Sequence, residues 1–408
     1  MRAMNAADAA AYSGAIWQAR SLNFQAYMNR AMVVNEVTIA QSVSLRFWTD
    51  YLNRFVNNVS LVGGWVPWVG QVLRAISRVI DRVNRSMQDT MPVVEKGSRT
   101  LAYLENVLQT TFNNAGSIGA SEIAIEVAKR NGAEISRGGY ALLATNTVEW
   151  TRFTQTYAGN GRKRLRAVTL DSRDGFTQGR EWEWGFVVGK LDKQGGTDLV
   201  NYDAWKAMDS AAMCTGVIKC RPWVELGWGG AQAYAPNYVA TIGTHGNGSD
   251  WNRRDGVRAR NQANSKAQRT DLPRVFPDYR DLKDLDPARS DKQKMAFAVE
   301  VLVSDKNVPT ANRAFGAKTA LIDGTTIEHD PQYNGEGSGV YGLAEACVAF
   351  ERPIGAKRSD GRTERPSLFN PYWRASLVVP SRRTRVEAGA VKGLPAIEAL
   401  LGGAGSCS

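Results

Sequence analysis

Apolar positions recur every three or four residues through the first sixty positions of this chain. Tyr12, Ile16, Ala19, Leu22 and Ala26 form one such series, and Leu45, Trp48, Leu52, Phe55 and Val59 another. This spacing is that of an amphipathic α-helix. No proline or glycine interrupts residues 15–62, so one or two very long helices are predicted over residues 1–60. Only eight charged side chains fall in that stretch, and Trp17, Phe24 and Met28 lie off the main stripe. A helix that is apolar on several faces needs neighbours on more than one side. Its opening residues also offer no capping signal, and an uncapped start leaves the first N–H groups without partners. The segment therefore reads as the lower part of a longer rod.

The segment "VGGWVPWVG" (Val62–Gly70) breaks that pattern, and a second one follows. Val72, Ile76, Val79, Ile80, Val83, Met87 and Met91 make an apolar stripe, with Arg74, Arg78, Arg82 and Arg85 on the other side as a solvent face. Pro92 and Gly97 predict a further break, after which helical patterning resumes over residues 101–114 and 122–130. Residues 1–134 are thus expected to form a stalk or bundle of long helices. From residue 135 the period changes to two. "EWEWGFVVGKL" (Glu181–Leu191), "RPWVELGW" (Arg221–Trp228), "YVATIGT" (Tyr238–Thr244), "FAVEVLVS" (Phe297–Ser304) and "ACVAFERP" (Ala346–Pro353) read as half-buried strands. The predicted fold is α+β: an N-terminal helical hairpin or bundle, then a largely antiparallel β-rich head over residues 135–408. The head would hold a long polar insertion near 246–294 and a flexible tail, "GGAGSCS", unless Cys407 pins it.

Composition narrows the classes. Of 408 residues, 43% are hydrophobic and 22% charged, an ordinary globular balance that argues against disorder. The net charge of +11 invites a polyanion, yet the excess is dilute, with 13 basic and 10 acidic side chains in residues 1–134. That spread argues against nucleic acid as a partner. The denser runs at Arg162–Arg166 ("RKRLR") and Arg253–Arg260 keep a surface-adhesion or polyanion-binding module as an alternative. The strongest apolar run, "LVGGWVPWVG", is half the ~20 residues a membrane-spanning helix requires and contains Pro67. Four cysteines without a C-x-x-C pattern leave two readings. Either Cys214 pairs with Cys220 in a local staple and Cys347 with Cys407 at the tail, or all four are buried thiols.

Catalytic groupings are sparse, and no enzyme is predicted. His245, Ser249 and Asp250 are sequence neighbours, whereas triad members normally come from separate elements. There is no G-x-S-x-G, P-loop or H-E-x-x-H motif. Glu181 and Glu183 would share a strand face about 7 Å apart, which suits solvated carboxylates as well as a glycosidase pair. "DGTTIEHDPQYNGEGSG" (Asp323–Gly339) lacks the regular ligand spacing of a calcium loop. Two histidines cannot build a histidine metal centre. No cofactor and no metal is expected, and a cryptic hydrolase in the head stays a third alternative.

At both ends the chain resembles a known family. "NAADAAAYSGAIWQARSLNFQAYMNRAMVVNEVTIAQSVSL" (Asn5–Leu45) is similar to the segment that follows the transmembrane helix in TadE/TadG-like proteins of the Tad (Flp) pilus system. "YGLAEACVAFERP" (Tyr341–Pro353) and "SLFNPYWRASLV" (Ser367–Val378) resemble the C-terminal motif of the same proteins, with Ser376 where arginine is commoner. Together these cover about a fifth of the chain. The resemblance implies a non-enzymatic minor pilin or pilus-assembly component that is exported to the periplasm or cell surface. It also implies an N-terminal membrane segment absent from this chain, and other envelope subunits as partners, with self-assembly one option. On that reading Trp17, Phe24, Tyr27, Trp48 and Phe55 become candidate subunit contacts, though packing within their own chain would explain them equally. Asn370, Pro371, Tyr372 and Trp373 would be a structural motif at a sheet-to-helix interface.

Overall fold

The structure is a computed structural model, and it describes residues 1–63, 69–186, 189–200, 202, 204–215, 223–236, 268–285, 293–304, 319–320, 326–327, 339–352, 364–391 and 407. In chain order the elements are α1 (Arg2–Gly63), α2 (Val69–Arg130), β1 (Glu134–Ile135), α3 (Arg137–Phe153), β2 (Thr154–Tyr157), α4 (Lys163–Asp171), α5 (Gly175–Gln178) and β3 (Trp182–Phe186). There follow β4 (Gly189–Val200), β5 (Ala204–Thr215), β6 (Trp223–Tyr234), β7 (Gln268–Asp271), β8 (Tyr279–Leu282) and β9 (Lys294–Ser304). The short pair β10 (Thr319–Ala320) and β11 (Thr326–Ile327) precedes β12 (Gly339–Phe350), β13 (Trp373–Val378) and α6 (Arg382–Ala390). The class is α+β, with long helices first and sheet-rich sequence after.

Helix α1, 62 residues long, is a single very long helix as one of the two expected options had it, and α2, also of 62 residues, replaces the several shorter helices that the sequence suggested around and after residue 92. Helix α2 runs unbroken through Pro92 and Gly97. The proline removes one N–H and leaves the Gln88 carbonyl without its helical donor. Tertiary bonds hold both flanks of that gap: Gln88 Nε2 donates to the Arg46 carbonyl at 3.0 Å, and Glu95 accepts from Arg46 Nη1 at 3.0 Å. The polar insertion expected over 246–294 also contains structure, since β7, β8 and the first residue of β9 fall inside it.

The chain divides into two compact units: residues 1–27, 109–156 and 280–408, and residues 28–108 and 157–279. This partition does not follow the division into 1–134 and 135–408. Each unit takes a stretch of both long helices together with its own sheet.

In the first unit, four strands pair in the order β1-β9-β12-β13, all antiparallel. Phe297, Val299, Val301 and Val303 alternate along β9 and join Ala344, Ala346 and Val348 of β12 in one buried cluster. The same cluster takes in Ala3, Ala6, Ala7, Ala10, Ala11, Ala15 and Ala19 of α1 and Ala120, Ala124 and Ala128 of α2. Alanine at these positions keeps the side chains short, so helix backbone and sheet approach closely. Helix α3 was not anticipated from the sequence, because Gly138 and Gly139 obscure its start. Ser136 caps it by accepting from the Gly139 N–H at 2.9 Å. A Cβ on Gly139 would collide with the Glu300 carbonyl of β9. The glycine that weakens the helical signal is what lets the helix begin against the sheet.

In the second unit, five strands pair in the order β3-β4-β5-β6-β7, antiparallel except for β6 with β7. Helix α1 lies on this sheet at glycine positions. A Cβ on Gly229 would sit 2.6 Å from Tyr51 N and 2.7 Å from the Phe47 carbonyl oxygen. The contact between α1 and α2 in this unit includes buried polar pairs. Glu36 and Arg99 pair with both side chains fully buried, at 2.8 Å, and Arg46 and Glu95 pair at 3.0 Å. Thr49 Oγ1 donates to Asn84 at 3.1 Å, and Ser77 bonds to Asn57. These paired groups explain why α1 carries buried polar residues among its apolar ones.

Candidate interaction surface

Four of the five aromatic residues proposed as subunit contacts have partners within their own chain. Trp17 packs against the buried cluster of the first unit. Phe24 stacks on Phe112 of α2 with ring centroids 3.9 Å apart. Trp48 meets Phe176 of α5 edge-on at 6.1 Å, and Phe55 stacks with Tyr51 at 6.0 Å. Tyr27 is different, with 56% of its surface exposed. Helical spacing placed these residues correctly on α1 but could not tell an internal partner from an external one.

Of the motif residues Asn370, Pro371, Tyr372 and Trp373, Trp373 is bonded to the N-terminal helix. Trp373 is buried and meets Phe153 and Phe350 edge-on, each at 5.6 Å. Its indole N–H points to the Ser367 carbonyl at 3.4 Å. Tyr372 stands edge-on to Phe350 at 5.8 Å, and its carbonyl accepts from the Glu351 N–H at 2.8 Å. Asn370 and Pro371 form the turn leading into β13, with Asn370 Nδ2 reaching the Arg365 carbonyl at 3.3 Å. Asn23 of α1 grips the backbone of Trp373, its amide donating to the carbonyl and accepting from the N–H, both at 2.9 Å. The two segments that carry the family resemblance thus meet in one unit.

Cys347 of β12 is bonded to Cys407, with Cα atoms 5.4 Å apart. Cys214 of β5 is also disulfide-bonded, while Cys220, expected as its partner, lies outside the described residues. Pairing is the outcome for the described cysteines, and the reading with free thiols is set aside for them.

The groups with strongly altered acidity are internal. Asp209 of β5 lies fully buried between Arg180, at 3.2 Å, and Lys193, at 3.3 Å. Burial pushes its carboxyl up to about 6 against the opposing pull of the two cations. Burial also holds Lys193 and Arg180 below their ordinary values, with Asp209 acting the other way. Arg180 further donates to Thr197 at 3.2 Å and lies over the Phe47 ring at 4.5 Å. Lys193 donates to the Arg180 carbonyl at 3.0 Å. This cluster ties α1, β4 and β5 together, with one buried carboxylate set between two cations.

Other sequence candidates are also accounted for. Glu183 pairs with Lys190 across β3 and β4 at 2.7 Å, and Glu181 and Glu183 are both exposed. In the basic run, Arg162 donates to the Phe276 carbonyl and Arg166 to the Leu199 carbonyl, so these two are engaged internally. Residues 253–260, and His245 with Ser249 and Asp250, lie outside the described residues. Among the described residues no group of three or more His, Cys, Asp or Glu could hold a metal ion, and no helix is long and apolar enough to cross a membrane.

Surface features of another kind are prominent on α2. Val72, Ile76, Val79 and Val83 are 58%, 42%, 61% and 42% exposed, and Arg74, Arg78, Arg82 and Arg85, on the other side of the helix, are exposed too. Of the predicted apolar stripe, Ile80, Met87 and Met91 are half-buried, and the side of α2 that meets α1 here also carries Ser77, Asn84 and Gln88. Comparison with known proteins adds no neighbour: no family model, no curated protein and no solved structure matches the chain.

Proposed function

We propose that this chain is a non-enzymatic cell-envelope protein of the TadE/TadG-like kind, acting as a minor pilin or assembly component of a Tad-type pilus. One observation carries the proposal beyond the motifs themselves. Asn23, inside the N-terminal resembling segment, is bonded to Trp373, inside the C-terminal one. Motifs that belong to one family module should build one structural unit, and these two do. The disulfide between Cys347 and Cys407 supports an oxidising, exported location. The self-paired Asp209 cluster and the exposed, salt-bridged Glu183 favour a structural protein over a hydrolase. On this reading the chain works through contacts with other envelope subunits, with Tyr27 as the exposed aromatic on α1.

Deletion of the gene in its own host, followed by counting of surface filaments, tests the proposal. Loss of filaments, restored by the wild-type gene, is expected. Unchanged filament number, together with a defect in growth on a defined substrate, would favour the enzyme reading instead.

A further inference from the structure

We propose that β3 is a self-association edge, pairing antiparallel with β3 of a second copy of this chain about a two-fold axis at Trp184. β3 ends the five-stranded sheet of the second unit, and among the described residues no strand pairs with its outer side. Its register to β4 runs through Trp182↔Lys193 and Trp184↔Leu191. One step further along the same register, the Arg180 N–H donates to the Gly195 carbonyl at 2.9 Å. Alternate residues of an antiparallel strand bond to the same neighbour. Arg180, Trp182 and Trp184 therefore turn their backbone groups to β4, and Glu183 and Gly185 turn theirs outward. Both tryptophans are exposed on this edge, Trp182 at 44% and Trp184 at 67%.

The strand is complementary to itself. Its sequence, Trp-Glu-Trp-Gly-Phe over residues 182–186, carries an aromatic residue two places to either side of Trp184. Turned about Trp184, two copies place Glu183 of one opposite Gly185 of the other, where outward N–H and C=O groups bond in both directions. Gly185 leaves room for that side chain, since among the described residues nothing lies within 4 Å of a Cβ built there. The register also keeps Glu183 from standing directly against its own copy, which a turn about Glu183 would impose. Trp184 meets its counterpart in a non-hydrogen-bonded pair, with Cα atoms about 4.5 Å apart. Within its own sheet Trp184 heads a cross-strand row of Leu191, Met213 and Val224, and pairing continues that apolar row across the axis. Solitary edge strands are commonly guarded by proline or a bulge, and β3 has neither. An unrelated extended segment would satisfy the backbone groups, but a second copy also uses the symmetry of the side chains. This inference uses residues outside the segments that resemble the pilus proteins and stands independently of that reading.

The test is sedimentation velocity of the full chain across micromolar concentrations, and a reversible dimer is expected. Gly185→Pro removes an N–H that β4 does not use, so it should abolish the dimer and leave the circular dichroism spectrum unchanged. Trp184→Glu should raise the dissociation constant on the order of thirtyfold, the loss of a central aromatic anchor. As a second readout, W184C in an oxidising buffer should link two copies through position 184, with the joined peptides recovered by mass mapping. A wild-type chain that stays monomeric across the range would overturn the proposal. So would a dimer kept by both Gly185→Pro and Trp184→Glu, or a W184C chain that forms no link at position 184.

Discussion

Asn23 and Trp373 stand 350 positions apart and hold each other through two hydrogen bonds, each 2.9 Å long. The side-chain amide of Asn23 acts as one more strand residue, giving a donor and an acceptor to the first backbone position of β13. Through it the N-terminal helix reads the edge of the sheet in the first unit.

Replacing Asn23 should therefore cost more than one ordinary hydrogen bond. Asn23→Ala leaves a backbone N–H and a carbonyl of Trp373 unpaired, at about 1–3 kcal/mol for each buried group. Asn23→Asp keeps the acceptor but turns an oxygen toward the Trp373 carbonyl, so it should not rescue. Urea unfolding of the two variants checks this, with both midpoints expected below that of the wild type.

The disulfide between Cys347 and Cys407 closes 60 residues of chain. Chain-entropy arguments put its contribution at about 4 kcal/mol. Cys407→Ser, or reduction of the native chain, should lower the thermal midpoint, and non-reducing mass mapping should recover the peptide pair from untreated protein.

Asp209 gives a pH dependence with a definite sign. Its folded pKa, about 6, lies above the ordinary aspartate value of 3.8, so between those values the folded state holds more proton than the unfolded one. Stability from this group is full below pH 4 and is lost as pH rises through 6, by about 3 kcal/mol in all. Asp209→Asn should abolish that slope. Asparagine stands in for the protonated carboxyl, so at pH 7 the variant should be at least as stable as the wild type. Denaturant melts at half-unit pH steps on both proteins provide the comparison.

Two glycines in the same sheet should answer alanine differently. At Gly229 the new Cβ meets backbone atoms of Tyr51 and Phe47 that cannot swing aside, and a cost of about 1–3 kcal/mol is expected. At Gly185 of β3 nothing lies within 4 Å, so Gly185→Ala should change stability by less than about 0.5 kcal/mol. Equal effects would mean that α1 does not rest on the sheet at Gly229.

Much of the fold was legible because its strongest elements are periodic. Residues 1–60 carry a helical period, and Phe297–Ser304 and Ala346–Pro353 carry strand patterns. Pro92 misled, because a proline is a local breaker while the bonds of Gln88 and Glu95 that bridge it are tertiary. Helix α3 was hidden by Gly138 and Gly139, whose role is close approach to Glu300 rather than chain reversal. The candidate contacts were less legible. Phe24 and Tyr27 have the same sequence signal, and only Phe112 opposite Phe24 separates a packed ring from an exposed one. The Asp209 cluster gave no warning at all, since Arg180, Lys193 and Asp209 occupy three segments with no shared motif.

Cell fractionation with external protease tests the central claim, an exported envelope protein, most directly. An antibody to the native chain in its own host should find it in the membrane or filament fraction, cleaved when protease reaches the cell exterior or periplasm, with Cys347 and Cys407 oxidised. A chain confined to the cytosol, shielded from protease and carrying reduced thiols would contradict the account.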